Sequence, residues 1–162
     1  DLMIILEGMR ETAYDCTAGK RTVGIGFNME SVGAEKVWND LCIPEDFYDV
    51  FDKKVVISRE SADKLFTKAW SWCVRKAHQR AEVLGISYKD LPEWHQFILA
   101  DIVYNTGSVN NWVKVFKSTR PSDVLVEARR NPKEILDSRV AKIGHYFRFI
   151  GSVEEALRVS LV

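Results

Sequence analysis

Residues 5–29, ILEGMRETAYDCTAGKRTVGIGFNM, decide how this chain is read. They crowd Glu7, Asp15 and Cys16 together, with Thr22 just beyond. Leu2, Leu6 and Met9 recur at i, i+4 and i+7, which predicts a helix over 1–11 with a buried stripe. Glu7 lies off that stripe, near the helix end and beside Gly8. The period then changes. TVGIGFN alternates, setting Val23, Ile25 and Phe27 on one strand face and Thr22, Gly24 and Gly26 on the other. TAGK at 17–20 is a turn signal ahead of that strand, so 12–30 reads as a small hairpin rather than a large sheet.

Each position has a chemical reading. The partial negative charge at a helix C-terminus disfavours an ionised Glu7, and an apolar setting acts the same way. A carboxylic acid held protonated is what a glycosidase uses to protonate a leaving oxygen. Two glycines on one strand face leave the backbone open to a ligand. A threonine hydroxyl at their rim can hold a water. GIG is not a dinucleotide fingerprint, because the next glycine would fall at Met29 and the element starts as a strand.

Beyond Ser31 the helical period returns. A short helix is expected over 34–41, then a loop over 44–54 with an apolar FYDVF core. ISRES at 57–61 starts a long helix over 62–84 that carries Leu65, Phe66, Ala69, Trp72, Cys73 and Ala77 and ends at Gly85. A helix apolar on more than one side follows Pro92, which predicts burial. A turn over 105–111 precedes short helices over 112–130, 132–147 and 152–160, with Pro121 and Pro132 as first helical residues. The result is an α+β chain forming one domain. A small hairpin lobe (roughly 12–55) and a larger helical lobe (1–11 with 70–162) are joined by the long helix, with a cleft between them that could hold a ligand.

Composition narrows the function classes. Lys and Arg number 23 against 23 Asp and Glu, so no basic field argues for nucleic acid or an anionic membrane. No run approaches the roughly 20 apolar residues of a membrane helix. Cys16, Cys42 and Cys73 are too few for a disulfide framework and lack zinc spacing, so no metal or other cofactor is expected. His78, His95 and His145 lie far apart and read as structural or surface residues. Trp38, Trp70, Trp72, Trp94 and Trp112 read as core packing rather than sugar platforms. The chain begins at Asp1 inside a helical pattern, which reads as a domain excised from a larger protein or a processed product.

The motif as a whole is more specific than its parts. Glu7-Gly8, Arg10, Ala13-Tyr14, Cys16, Gly19, Thr22 and Val23-Gly24-Ile25-Gly26 resemble the bacteriophage lysozyme family, glycoside hydrolase family 24, of the T-even phage type. ISRESADKLF at 57–66, FILADIVYNTGS at 97–108 and DSRVAKIGHYF at 137–147 are similar to three further segments of that family, so the resemblance covers about 1–150. It implies a lysozyme-like fold and cleavage of the β-1,4 bond between N-acetylmuramic acid and N-acetylglucosamine in peptidoglycan. Glu7 would be the general acid, Cys16 and Thr22 its catalytic partners, and Arg139 the charge that orients Glu7. Gly26 and Asn105 would bind saccharide. The implied protein is a monomer when isolated. It is either an endolysin kept in the host cytoplasm until release to the periplasm and cell wall, or a domain of a virion structural protein. The alternative is a virion module that binds peptidoglycan without cutting it.

Two positions depart from the best-known members of that family. Phe27 stands where they place a histidine, and Cys16 stands at the second catalytic position. Asp15 is the alternative second carboxylate. Adjacent strand residues point to opposite sides, and alternation together with the family register selects Cys16. A thiol-dependent hydrolase acting through Cys16 would need a histidine partner, and none lies in the motif region.

Overall fold

In the computed structural model, which describes residues 2–128 and 143, the first helix stops at a glycine. Helix α1 (Leu2–Glu7) ends where Gly8 takes a φ of 75° and donates its N–H to the Ile4 carbonyl at 2.7 Å. A left-handed glycine is the common way to close a helix, because it pays no Cβ penalty there. The helix expected over 1–11 is therefore shorter, and strand β1 (Arg10–Asp15) begins almost at once.

Strand β2 (Arg21–Gly24) pairs antiparallel with β1, Tyr14 facing Thr22 and Asp15 facing Arg21. The single strand expected through TVGIGFN breaks. Gly24 and Gly26 both have positive φ, 66° and 74°, and turn the chain into β3 (Phe27–Asn28). The sheet thus has three strands in the order β1-β2-β3. Helices α2 (Ala34–Asp40) and α3 (Phe47–Phe51) follow. The second of these lies in the expected loop, because the Asp46 carboxylate caps it by accepting from Asp49 N–H at 2.9 Å.

Helix α4 (Arg59–Val83) opens on a side-chain network. Ser58 Oγ accepts from Ser61 N–H at 3.1 Å, and the Glu45 carboxylate accepts from Ser58 N–H and the Ser61 hydroxyl, each at 2.7 Å. A 3-10 turn (Tyr88–Asp90) leads to α5 (Glu93–Thr106), α6 (Val113–Lys117) and α7 (Pro121–Ala128). Pro121 is the first residue of its helix, while the expected helix over 112–130 is split in two. The expected helices over 132–147 and 152–160, with His145, lie outside the described residues.

Packing divides the chain into two units, Asp1–Ala69 and Trp70–Val162. In the first, Ala13, Val23, Met29, Trp38, Phe47, Val50, Ile57, Ala62 and Leu65 form the core. Trp38 meets Phe47 edge-on at 5.4 Å and donates its indole N–H to the Glu45 carbonyl at 2.8 Å, so the buried ring keeps its polar handle satisfied. In the second, α5 buries an unbroken run from Ile98 to Val103. His95 is buried there with Nε2 2.6 Å from the Val115 carbonyl, a structural role. Burial pushes its pKa down, opposed by that hydrogen bond. Trp72 does not pack in a core: it is 40% exposed. Among the described residues no helix is long and apolar enough to cross a membrane.

Candidate active site

The turn between β1 and β2 is built around Cys16. Gly19 N–H donates to the Cys16 carbonyl at 2.8 Å, and Cys16 N–H donates to the Lys20 carbonyl at 2.9 Å. Gly19 has a φ of 73°, which this short loop requires of its last turn residue. The loop thereby aims backbone N–H groups at the Cys16 side chain. The thiol pKa is lowered, first by the Lys20 N–H and then by the Ala18 N–H. Burial opposes them, and the Thr22 hydroxyl adds to the lowering. A side-chain acceptor at i met by the N–H of i+2 is the arrangement that aspartate makes in an Asx-turn. The turn is therefore shaped for an anionic acceptor at position 16, whether thiolate or carboxylate.

Thr22 differs from the rim hydroxyl expected of it. It is 5% exposed, and its Oγ1 donates to the Lys20 carbonyl at 2.9 Å. Its one proton has two acceptors within reach, that carbonyl and the Cys16 sulfur. Rotation of the hydroxyl thus follows the charge on sulfur: towards the carbonyl when Cys16 is a thiol, towards sulfur when it is a thiolate.

Asp15 is occupied elsewhere. Its carboxylate receives Arg21 Nε–H at 2.8 Å on an exposed surface. Arg21 is held in turn by the Phe51 carbonyl and lies over the Phe51 ring, 5.0 Å from its centroid. The register puts this pair on the sheet face opposite to Tyr14 and Thr22.

Glu7 is the last residue of α1 and is half-buried. The residue that relates it to the hairpin is Tyr14, to which the sequence reading gave no role. The Tyr14 phenol has its pKa raised, chiefly by burial; Arg10 opposes this, and the charges of Glu7 and Cys16 add to it. One hydroxyl therefore lies within the field of both groups. The Arg10 guanidinium stands over the Tyr14 ring at 4.4 Å, a cation–π contact that fixes the ring. The sequence signal for Tyr14 was slight: it stands two residues before Cys16, which lies beyond the end of β1.

The glycine floor is only partly a floor. A Cβ on Gly24 would lie 3.2 Å from both Ala62 Cβ and Ile57 Cδ1, so this glycine exists to let the start of α4 approach the sheet. Gly26 is half-buried at the turn. Asn105 belongs to the second unit, at the exposed end of α5, and its amide donates to the Asp101 carbonyl at 2.8 Å. Arg139 lies outside the described residues. Among the described residues no cluster of His, Cys, Asp and Glu could hold a metal ion.

No protein-family model matches this chain, and no curated protein matches it either.

Proposed function

We propose that the chain is a glycoside hydrolase of the lysozyme type, an N-acetylmuramidase that cleaves the β-1,4 bond between N-acetylmuramic acid and N-acetylglucosamine in peptidoglycan. The observation that supports this reading is a Cys16 side chain held by backbone donors, with the charges of Cys16 and Glu7 both raising the pKa of one Tyr14 phenol. Glu7 donates a proton to the leaving glycosidic oxygen. The Cys16 sulfur, as thiolate, supplies negative charge opposite the cationic character that develops at the anomeric carbon. Thr22 turns its hydroxyl towards that sulfur and stabilises it. Water completes the hydrolysis, its hydroxyl going to the anomeric carbon and its proton restoring Glu7.

The resemblance noted above adds Arg139 as the group that orients Glu7, and Gly26 and Asn105 as saccharide ligands. It also supplies the setting, host cell lysis by an endolysin or wall penetration from a virion. No histidine lies in the motif region of the sequence, which disfavours a thiol hydrolase that needs a histidine partner for Cys16.

Incubation with purified peptidoglycan tests the proposal. New reducing ends without new amines are expected. New amines without reducing sugar would mean cleavage of peptide or amide bonds. Binding with no release would mean a non-catalytic wall-binding module.

A further inference from the structure

A second recognition surface lies wholly within the second unit. Trp72, Lys76, Gln79 and Arg80 fall on one stripe of α4, at i, i+4, i+7 and i+8. With Asn110 and Asn111 they line an open groove of about 640 Å³. Trp72 is 40% exposed, and the Lys76 ammonium lies over its ring, 5.6 Å from the centroid. Arg80 Nη2 donates to the Asn110 carbonyl at 3.1 Å, which fixes the guanidinium beside the groove. Among the described residues no aspartate or glutamate lines the groove, and Lys76 and Arg80 give it positive charge.

We infer that this groove binds an acidic saccharide, with a sugar face on Trp72 and a carboxylate at Arg80 and Lys76. An exposed indole suits the apolar C–H groups of a sugar ring, amides suit its hydroxyls, and guanidinium pairs with a carboxylate in a directed way. A nucleic-acid strand fits less well. Its affinity depends on neutralising several phosphates, and two cations in a chain of balanced charge supply little of that. Choosing a wall glycan as the acid sugar rests on the muramidase reading. The groove would then hold the wall at a second point.

NMR on the full chain carrying Glu7→Gln tests this without consuming the probe. The Trp72 indole N–H and the Asn110 side-chain amide are followed against two probes: a peptide-free tetrasaccharide of N-acetylmuramic acid and N-acetylglucosamine, and neutral chitotetraose. Both signals should shift with the acidic probe and barely with the neutral one. Lys76→Gln and Trp72→Ala, at exposed positions, should each weaken that titration about tenfold with the circular dichroism unchanged. Static signals, equal shifts with chitotetraose, or tighter binding of an oligonucleotide would overturn the inference. The two proposals fail separately. Hydrolysis by the unsubstituted chain with static groove signals would remove the groove alone, and groove binding without hydrolysis would remove the muramidase reading alone.

Discussion

Cys16 and Cys73 are the same side chain in two regions that push it in opposite directions. At the β1–β2 turn the Cys16 sulfur meets the N–H groups of Lys20 and Ala18 and the Thr22 hydroxyl, and its pKa falls. In α4, Cys73 is buried, and burial together with the negative charge of Asp101 raises its pKa to about 12. Desolvation with a like charge nearby keeps the Cys73 thiol neutral, while hydrogen-bond donors aimed at sulfur favour the thiolate of Cys16. The residue that looks reactive is thus the one in a turn, and the one on the long helix is core filler. Neither conclusion follows from cysteine as a residue type.

The largest expected effect sits beside the first of these regions. Glu7→Gln should lower hydrolysis of peptidoglycan by about 10²–10⁴-fold, the usual worth of a general acid, with the thermal unfolding midpoint unchanged. Full activity in that variant would detach the hairpin chemistry from Glu7.

Next come paired substitutions that exchange the two environments. Cys73→Asp puts a second carboxylate beside buried Asp101 and should cost about 3–5 kcal/mol in urea unfolding. Cys16→Asp should stay within about 0.5 kcal/mol and keep activity, because the turn already offers donors to an anion. Cys16→Ala should be active only weakly. Equal destabilisation by the two aspartates would erase the contrast.

Alkylation by iodoacetamide, read residue by residue by mass spectrometry, sharpens the same point. Cys16 should react at least about tenfold faster than Cys73 at pH 7, with its rate rising at a lower pH than an ordinary thiol. The linkage for Cys73 has the opposite sense. Its folded pKa lies above the unfolded value, so its contribution to stability is complete below the unfolded pKa. That contribution is lost as pH rises towards about 12. The smallest effect is expected at Asp15→Asn, which breaks an exposed ion pair with Arg21. It should cost about 0.2–1 kcal/mol and leave activity intact. An inactive Asp15→Asn protein with native circular dichroism would move the second catalytic group from Cys16 to Asp15.

Much of the scaffold was legible in the sequence because local signals and tertiary packing agree there. Ser58 does cap the long helix, Gly85 does follow its end, and Pro121 does begin a helix. The failures have local causes as well. The helix over 1–11 was read too long because the apolar spacing through Met9 hid the stop that Gly8 imposes. FYDVF looked like a loop until the Asp46 cap is counted.

Alternation alone could not show that Gly24 and Gly26 turn the chain, or that Gly24 faces Ala62 rather than a ligand, since both depend on where α4 packs. For the candidate site, strand parity sets Asp15 on the face opposite to Tyr14 and Thr22, as the register has it, whereas Cys16 follows the end of β1 and its preference over Asp15 belongs to the proposal. The burial of Thr22 and the influence of both Glu7 and Cys16 on the Tyr14 phenol were not legible, because they depend on tertiary packing. Trp72 was read as core because its helix is long and apolar residues recur along it. Its exposure is set by what packs against that turn of the helix.

The most direct measurement is the chemical identity of the new end. Peptidoglycan digested by the unsubstituted chain, and in parallel by Glu7→Gln, is separated and analysed by mass spectrometry. N-acetylmuramic acid with a free reducing end, released by the first protein and absent with the second, is the predicted result. Fragments ending in reducing N-acetylglucosamine, free amino groups without any new reducing sugar, or equal release by Glu7→Gln would contradict it.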